Sequence, residues 1–324
     1  MRKIAAFLFC SLFFCSCTYN DSPPIKKSEY LLGTLVSISI YDNTSDSEQL
    51  INECFELVRE FENKVSFNNC DSELSYINSK AYENPVCASD ELFDIIDKAL
   101  YFCEKSQGAF DIGIGRLIEI WGIGTENARV PSYNEISPYI GFKAYENIIL
   151  DSKNKTVSFS DKRVKIHLGA CAKGYAEDNV IAYLKENGVK SALLNFGGSI
   201  SVIGKKNNND FSIGIANPND DSTNLKTIFV SDTSVVTSGD YQRYFIDNDI
   251  KYHHIIDTSD GYPSDNGIQS VTIVCNSAFK ADCLSTAAFV LGEKRGKELV
   301  LSEECEYIFY TNECLISDGI KFED

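Results

Sequence analysis

The sequence predicts a protein of the α+β class, with strands and helices mixed along the chain rather than alternating as βαβ units. Segments with the two-residue period of a half-buried strand and segments with helical spacing follow each other irregularly. No internal repeat of 20 to 50 residues is visible, and no linker rich in Pro, Gly or Ser divides residues 30–324. Hydrophobic residues make up 44% of the chain and aromatic residues 12%, enough for a sizeable core. We therefore expect one folded domain.

The first elements are predicted from periodicity and from capping signals. Residues 30–41 alternate Val and Ile with Ser, which predicts a strand. A helix should follow, because Ser45 and Glu48 have the spacing of a capping box and apolar residues recur at helical spacing after them. A second helix is predicted over 89–107, with Gly108 at its end.

The second half of the chain continues the mixture. A helix is predicted over 173–187 with Gly188 at its end, and a strand over 189–196 ends at two glycines. Further strands are expected near Ser212, over 227–236, over 251–257 and over 269–275, then a helix over 277–291 and short strands near Tyr307 and Cys314. This order favours α+β over a doubly wound sheet.

Charge composition excludes one class of partner. The chain has 30 Lys and Arg against 47 Asp and Glu, a formal net charge of −17. Binding to nucleic acid depends on clustered cations that neutralise phosphates. We therefore expect no nucleic-acid partner.

The N-terminus has the features of an export signal. Two basic residues precede the apolar run 4–14, which is too short to span a bilayer. A Ser then stands directly before Cys17, as in the cleavage box of bacterial lipoproteins. We expect a signal peptide over 1–16, lipidation of Cys17, a tether over 17–29 and a domain over 30–324. The protein would then be exported and anchored to the outer face of the inner membrane; the alternative is a plain signal peptide with an incidental cysteine.

The cysteines do not form a recognisable metal or redox motif. Twelve are present, three of them in the predicted leader and cleavage box. The remaining nine include no CxxC pair and no Cys/His cluster, so neither a zinc site nor a thioredoxin-type motif is supported. We expect most of them to be small buried hydrophobic residues.

Two pairs of side chains could carry chemistry. Asp282 and Thr286 are four residues apart in a predicted helix and so share one face, and their oxygens suit a hard cation such as Mg²⁺. The alternative is a carboxylate near a helix start and a threonine that packs its methyl group. His253 and His254 are adjacent in a predicted strand and so face opposite sides. A neutral imidazole can accept a hydroxyl proton, although such a pair can also be structural.

Several common motifs are missing. The sequence contains no GxGxxG, no GxxxxGK[ST] and no GxSxG. Rossmann, P-loop and α/β-hydrolase interpretations therefore lose their main support.

Eight blocks in a fixed order resemble the FAD:protein FMN transferases, the ApbE-like lipoproteins once linked to thiamine synthesis. The blocks are LLGT (31–34), NNCDSELSYIN (68–78), GAFDIGIGRLIEIWGIG (108–124), HLGACAKGYAED (167–178), LLNFGGSISVIG (193–204), TSGDYQRYF (237–245), HIIDTSDGYP (254–263) and ADCLSTAAFVLG (281–292). Each block alone is weakly specific, but their order and spacing together with the lipoprotein-like leader are not expected by chance.

The resemblance implies a fold and an activity. The fold would be a single T-fold-like α+β domain of mixed, largely antiparallel sheets flanked by helices. The enzyme would bind FAD as substrate with Mg²⁺, split the pyrophosphate, attach FMN by a phosphoester bond to a Thr or Ser hydroxyl of a partner protein, and release AMP. The implied acceptors are exported flavoproteins and flavin-bearing subunits of membrane redox complexes.

The resemblance also implies roles for individual residues. Asp282, Thr286 and the carbonyl of Ala170 would hold Mg²⁺, and His254 and Asp282 would be catalytic. The residues at positions that contact FAD are Leu32, Asn68, Ala109, Phe110, Asp111, His167, Lys173, Arg243 and His254.

Two alternatives remain open at this point. The same site could use water instead of a protein hydroxyl and hydrolyse FAD to FMN and AMP. The chain could also be a lipid-anchored flavin-binding protein without catalysis. Incubation with FAD, Mg²⁺ and a candidate acceptor separates these outcomes.

Overall fold

The computed structural model describes residues 23–42 and 45–323. The predicted signal peptide, Cys17 and the start of the predicted tether lie outside the described residues. Within them, the chain folds as an α+β protein with seven α-helices and largely antiparallel sheets, which confirms the predicted class.

The helices are distributed along the whole chain. They are α1 (Ser47–Val65), α2 (Glu73–Lys80), α3 (Asp90–Lys105), α4 (Gly115–Trp121), α5 (Tyr133–Ile136), α6 (Ala172–Glu186) and α7 (Ala278–Ser302), with short 3₁₀ turns at Ser137–Tyr139 and Ala144–Asn147. Helix α7 is interrupted at Gly292, which has φ 79° and ψ 171°. Helices α3 and α6 match the predicted segments to within two residues at each end.

The strands are mostly short. They are β1 (Ile25–Leu31), β2 (Thr34–Ile40), β3 (Val86–Cys87), β4 (Ile148–Asp151), β5 (Thr156–Phe159), β6 (Ala192–Phe196), β7 (Ser199–Ile203), β8 (Phe211–Asn217), β9 (Asp220–Val230), β10 (Thr233–Gly239), β11 (Tyr244–Asp247), β12 (Ile250–His253), β13 (Ile256–Asp257), β14 (Tyr262–Pro263), β15 (Ser270–Cys275), β16 (Glu306–Tyr310), β17 (Cys314–Ile316) and β18 (Phe322–Glu323).

An eight-stranded antiparallel sheet is the centre of the fold. Its strand order is β1-β2-β6-β7-β10-β15-β16-β17. Helix α6 packs on β7 and helix α7 packs on β10 and β15, so both cover one face of this sheet. The small sheet β18-β9-β8 shares an apolar cluster with residues of β7, β10 and β16 and so covers the opposite face. The protein therefore has three layers, and α6 and α7 lie side by side on the helical face.

Strand alternation separates the two cores. Neighbouring residues on one strand face opposite layers of the protein. The pairs Val202/Ile203, Val235/Val236 and Ile308/Phe309 each place their first member in the core under the small sheet and their second in the helix-covered core. All six side chains are buried. Both faces of the central sheet are thus apolar, which is why it is covered on both sides.

The segment predicted as one strand over 30–41 is instead a hairpin. Leu32 and Gly33 both have positive φ, 52° and 69°, as the two central residues of a type I′ turn require. Strand β1 begins at Ile25, so residues 25–29, predicted as part of the tether, belong to the sheet and pair with β2. The predicted capping box at Ser45 is also wrong: the residue before α1 is Asp46, and no side chain caps this helix.

Two other predicted strands are divided. The segment 227–236 contains the end of β9, a turn with Asp232 at φ 47°, and the start of β10. The segment 251–257 is divided between the end of β12 at His253 and the short strand β13, with the backbone N–H of His254 still donating to the carbonyl of Arg243. His253 and Ile255 are both buried, as alternation predicts, but Ile256 is buried too, so the alternation ends there.

No helix in residues 23–42 and 45–323 combines the length and apolar character needed to cross a membrane.

Candidate active site

The start of α6 and the start of α7 meet closely. A Cβ atom on Gly174 would lie only 2.3 Å from the backbone oxygen of Ala278, so this crossing requires glycine. The contact brings the first turn of α6 against the first turns of α7. It places Lys173 beside Asp282, which are 109 residues apart in the chain.

Asp282 is a buried carboxylate held by two partners. Its side chain is 4% exposed. Lys173 Nζ lies 3.3 Å from Oδ1 and 3.2 Å from Oδ2, and the backbone N–H of Gly174 donates to Oδ2 at 3.2 Å. Burial raises the pKa of the Asp282 carboxyl, while Lys173 and the Gly174 N–H act in the opposite direction. A buried carboxylate whose one cationic partner is partly exposed is suited to exchange that partner for a metal ion.

The hydrogen bond from the Gly174 N–H to Asp282 leaves the carbonyl of Ala170 without its usual helical donor. In a regular helix the N–H of Gly174 would donate to the carbonyl four residues earlier, that of Ala170. Here it donates to Asp282, so the Ala170 carbonyl has no backbone partner among the described residues. This oxygen belongs to the turn that leads into α6.

Thr286 lies one turn after Asp282 on α7 and is half-buried. Its hydroxyl lies 3.3 Å from the hydroxyl of Ser238 on β10, which is 2.8 Å from that of Ser285. Ser285 in turn donates to the carbonyl of Asp282 at 3.0 Å. The two side chains predicted to share a helix face do so, and β10 adds a serine that the spacing argument missed.

These groups fit a hard divalent ion by their chemistry. One carboxylate, one hydroxyl and one carbonyl are oxygen donors of the kind that Mg²⁺ prefers, and Mg²⁺ normally keeps other positions for water and phosphate. No group of three or more His, Cys, Asp or Glu side chains suited to a metal occurs in the part of the chain that the structure describes. The described residues therefore contain no metal site built entirely from His, Cys, Asp and Glu side chains. A site with one carboxylate, one hydroxyl and one carbonyl oxygen is compatible with the residues present.

The two adjacent histidines have different environments. His253 is buried, its Nε2 lies 2.9 Å from the carbonyl of Ser264, and its Nδ1 accepts from the N–H of Ile255 at 3.2 Å. Both of its ring nitrogens are therefore occupied. His254 uses only Nδ1, which lies 3.2 Å from the carbonyl of Arg243 and so carries the proton. Its Nε2 has no hydrogen-bond partner in the described residues.

Two histidines of the site are neutral at physiological pH. Desolvation and the nearby charge of Arg243 lower the pKa of His254 to about 4. Desolvation, then Arg243 and Lys165, lower the pKa of His167 to about 4 as well. Arg243 is therefore close to both rings, and Lys173 also acts on His254. The cationic and imidazole groups that the sequence predicts for this site are gathered in one region.

Arg243 follows the Thr237–Gly239 end of β10 and is exposed. A Cβ on Gly33 would lie 3.7 Å from its Nη2, so the guanidinium reaches the turn of the first hairpin, next to Leu32. Its guanidinium makes no ion pair within the described residues. Leu32 is half-buried beside the main core.

The loop after α3 brings three more predicted residues to the region. Ala109 is half-buried, whereas Phe110 and Asp111 are 2% and 8% exposed. The Asp111 carboxylate accepts from the backbone N–H of Gly113 at 2.7 Å and of Tyr145 at 3.2 Å. Burial raises its pKa to about 6. Its side chain thus organises the loop, and Phe110 contributes to the core.

This loop is joined directly to His167. The backbone N–H of His167 donates to the carbonyl of Ile112 at 2.7 Å, and the Asn78 side chain bonds both the N–H and the carbonyl of Ile166, at 2.7 and 2.8 Å. Thr258 Oγ1 donates to the carbonyl of Gly108 at 3.1 Å and links the loop after His254 to the same region.

Asn68 is exposed in the loop between α1 and α2. Its neighbour Phe67, which sequence reasoning missed, packs edge-on against His167 with ring centroids 4.7 Å apart. Lys165 Nζ lies 4.6 Å from the centre of the Phe67 ring. The sequence signal for this contact is that the aromatic residue Phe67 stands directly before Asn68, the position predicted to contact FAD.

The sequence is similar to one family of known proteins over most of its length. The sequence profile of the ApbE family matches residues 32–309. The FAD:protein FMN transferase of Klebsiella pneumoniae (strain 342) is 32% identical over 294 residues, covering 90% of each chain. That of Treponema pallidum (strain Nichols) is 31% identical over 294 residues, covering 85% of this chain and 81% of its own length.

Solved structures show the same fold. The ApbE protein of Thermotoga maritima superposes with a TM-score of 0.85 at 32% identity, covering 91% of this chain and 97% of the other. The flavin transferase ApbE from Vibrio cholerae gives a TM-score of 0.79 at 27% identity, covering 93% and 97%.

The fold and the family match define an enzyme of the flavin-transferase class. The chain belongs to the ApbE family, whose curated relatives are FAD:protein FMN transferases. The alternative of a flavin-binding protein without catalysis is therefore not retained.

Proposed function

We propose that this enzyme binds FAD together with Mg²⁺, transfers the FMN part to a Thr or Ser hydroxyl of an acceptor flavoprotein, and releases AMP. The observation that carries the proposal is the buried Asp282 carboxylate, held by Lys173 and by the N–H of Gly174. Thr286 lies one turn later on the same helix, and the carbonyl of Ala170, four residues before Gly174, has no backbone partner among the described residues. The Asp282 carboxylate, the Thr286 hydroxyl and the Ala170 carbonyl would hold the ion. When bound, Mg²⁺ would neutralise the charge that develops on the pyrophosphate oxygens.

The chain's own cations have a defined task in this proposal. The net charge of −17 repels an anionic dinucleotide, so local positive groups must attract it. Lys173 can move its ammonium from Asp282 to a phosphate oxygen once a metal ion compensates the carboxylate. Arg243 is exposed and unpaired among the described residues, so it can contact phosphate without first breaking an ion pair.

His254 would act as the general base toward the acceptor hydroxyl. With Nδ1 directed at the carbonyl of Arg243, the lone pair lies on Nε2. Its lowered pKa keeps this nitrogen unprotonated at neutral pH. A positioned base of this kind contributes about 10² to 10⁴ in rate.

The remaining predicted residues would contact FAD from four loops. Leu32 would offer an apolar surface in the first turn, and Asn68 an exposed amide near the Phe67 ring. His167 would offer a neutral imidazole. At the loop after α3, Ala109, Phe110 and Asp111 would act mainly through their backbone and by fixing the shape of the loop, because the Phe110 ring and the Asp111 carboxylate are already engaged.

Lipidation of Cys17 after export, and membrane attachment outside the cytoplasm, belong to the same proposal. The support is the basic and apolar leader followed by Ser and Cys in the sequence. An enzyme held there would meet exported flavoproteins and the flavin-bearing subunits of membrane redox complexes in one compartment.

The test is an incubation with FAD, Mg²⁺ and an acceptor protein, followed by mass spectrometry of the acceptor and measurement of AMP. We expect the acceptor to gain one FMN and AMP to appear in equal amount. Asp282→Ala should abolish both at ordinary Mg²⁺ concentrations, a loss of at least about 10²-fold. The matched control is Asp151→Ala, which removes an exposed carboxylate at the end of β4, outside the proposed site, and should leave the rate unchanged.

Two results would contradict the proposal. Free FMN and AMP without modified acceptor would mean that water is the nucleophile and that the enzyme hydrolyses FAD. Full activity of a folded Asp282→Ala variant would remove this carboxylate from the metal site.

A further inference from the structure

The register of β15 and β16 places two cysteines opposite each other. These strands pair in antiparallel fashion, and the last pair in the register is Val274 with Glu306. The next positions in this register are Cys275, the last residue of β15, and Cys305, the residue directly before β16. They are neighbours across the ladder, although 30 positions apart in the sequence.

The separation expected for such neighbours suits a disulfide. Directly opposed residues in an antiparallel pair have Cα atoms about 4.5–5.5 Å apart, and disulfides join Cα atoms about 4.4–6.8 Å apart. Both residues are free thiols in the structure. Cys275 Sγ lies 3.1 Å from the carbonyl of Ser277, Cys305 Sγ lies 3.4 Å from that of Glu303, and the two thiols also interact with each other.

The two thiols differ in reactivity. The hydrogen bond between them and the ammonium of Lys280 lower the pKa of Cys305, whereas that of Cys275 is raised. Lys280 is fixed nearby, because its Nζ donates to the carbonyl of Glu303 and pairs with the Glu303 carboxylate. The thiolate is the nucleophile in disulfide exchange, so Cys305 is the thiol that should react first.

The pair is buried but lies next to exposed turn residues. Cys275 is 8% exposed and is followed by the exposed Asn276. Cys305 is 2% exposed and is preceded by the exposed Glu304. The pair lies where the β15–β16 ladder ends rather than in its middle. Local opening of these turns would uncover both sulfurs without disrupting the sheet.

We propose that Cys275 and Cys305 are a redox-modified pair that closes to a cross-strand disulfide when the protein meets a disulfide donor. The Cys305 thiolate attacks one sulfur of the donor and expels the first donor thiol. The Cys275 thiolate then attacks Cys305 Sγ and expels the second. The protein loses two protons and two electrons in total, and the donor disulfide takes both as it is reduced to two thiols.

The bond would fasten both ends of α7. Cys275 lies two residues before Ser277, the residue that caps α7, and Cys305 lies two residues after Glu303 at its other end. The closed loop 275–305 contains Asp282 and Thr286. The disulfide would therefore resist unfolding of the segment that carries the proposed metal ligands, and its formation does not depend on whether the protein transfers flavin.

The experiment uses the whole protein, incubated in buffers of reduced and oxidised glutathione over a range of ratios. Samples are quenched, denatured and alkylated, and the remaining thiols are counted by intact mass and located by peptide mapping. We expect the wild-type protein to lose two alkylated thiols in oxidised buffer and to yield a crosslinked peptide joining residues 275 and 305. Its Tm should rise by roughly 2–6 °C.

Cys275→Ser and Cys305→Ser should each prevent the crosslink and the rise in Tm. Cys54→Ser, which removes a buried thiol on α1, should leave both unchanged. The inference is overturned if the wild type keeps all its thiols in fully oxidised buffer, if the crosslink maps to other cysteines, or if Cys305 only acquires glutathione.

Discussion

Two neighbouring histidines on one chain segment differ in a single respect that matters for catalysis. His253 uses both ring nitrogens in hydrogen bonds and packs edge-on against Phe289 with ring centroids 5.5 Å apart. His254 leaves Nε2 without a protein partner and is half-buried near Arg243 and Lys173. The first is arranged to hold the fold, and the second has a nitrogen available for proton transfer.

This difference predicts the outcome of a paired substitution. His254→Ala should lower the single-turnover rate of FMN transfer about 10² to 10⁴-fold, with FAD binding retained, because the base is lost. His253→Ala should lower the Tm but leave the rate per folded molecule within a few-fold. Rates are measured at saturating FAD and corrected for the folded fraction at the assay temperature.

The pH dependence gives a second check on the same residue. Because the pKa of His254 is lowered to about 4, its base form is already complete at pH 6, so the wild-type rate should fall only as the pH approaches 4. Equal rates for the two alanine variants would remove His254 from the mechanism.

At the scale of elements, helix α7 is held in place by a residue of α6. The Asp178 carboxylate accepts from the hydroxyl of Ser277 at 2.6 Å and from the N–H groups of Ala278 and Phe279 at 2.7 and 3.1 Å. The N–H groups of Ala278 and Phe279 are backbone donors that a helix start leaves without intrahelical partners. Asp178 therefore sets the position of α7, and with it the position of Asp282.

Removing this cap should affect both stability and metal use. Asp178→Ala leaves buried backbone donors unpaired, so we expect a loss of about 2–4 kcal/mol in the free energy of unfolding, measured by urea denaturation. The Mg²⁺ concentration for half-maximal activity should rise as Asp282 loses its fixed position. Asp178→Asn keeps an acceptor oxygen and should recover part of both effects.

Asp151→Ala is the matched control for this prediction. Its carboxylate also accepts from two backbone N–H groups and a side-chain amide, but at the exposed end of β4. We expect it to change stability by less than about 0.5 kcal/mol. An Asp178→Ala variant no less stable than this control would show that the interhelical cap contributes nothing.

Across the whole molecule, local patterns could be predicted from the sequence better than contacts between distant segments. Helix α3 begins one residue after and ends two residues before the bounds that periodicity and Gly108 predict. The first hairpin was missed because Leu32 occupies a left-handed position that leucine seldom adopts, so nothing in the alternation signalled a turn. The bond from Asp178 to the start of α7 and the packing of Phe67 on His167 each join residues about 100 positions apart, which no local pattern encodes.

A further consequence for the whole molecule concerns its stability against pH. Glu177 on α6 is completely buried, and Ser199 on β7 donates to its Oε2 at 2.5 Å. Its Oε1 has no partner in the described residues, and the Ser201 hydroxyl donates to Ser234 instead. Desolvation, and the charges of the nearby Asp178 and Asp282 carboxylates, raise the pKa of Glu177 to about 8.

The raised pKa of Glu177 determines whether stability rises or falls with pH. Between the ordinary pKa of 4.5 and about 8, the folded protein keeps a proton on Glu177 that the unfolded chain releases. The contribution of Glu177 to stability is therefore complete below pH 4.5 and is lost progressively as the pH rises toward 8, by an amount of the order of a few kcal/mol. Glu177→Gln cannot ionise but keeps an oxygen to accept from Ser199.

The prediction is tested by urea denaturation of both proteins from pH 5 to pH 8. Relative to wild type, Glu177→Gln should gain stability steadily as the pH rises, because only the wild type must keep a carboxyl protonated in its core. Glu186→Gln changes an exposed carboxylate at the end of the same helix and should follow the wild-type curve throughout. Parallel curves for Glu177→Gln and wild type would mean that the buried carboxyl is already ionised at pH 5, in which case a counter-charge or water must reach its unpaired oxygen.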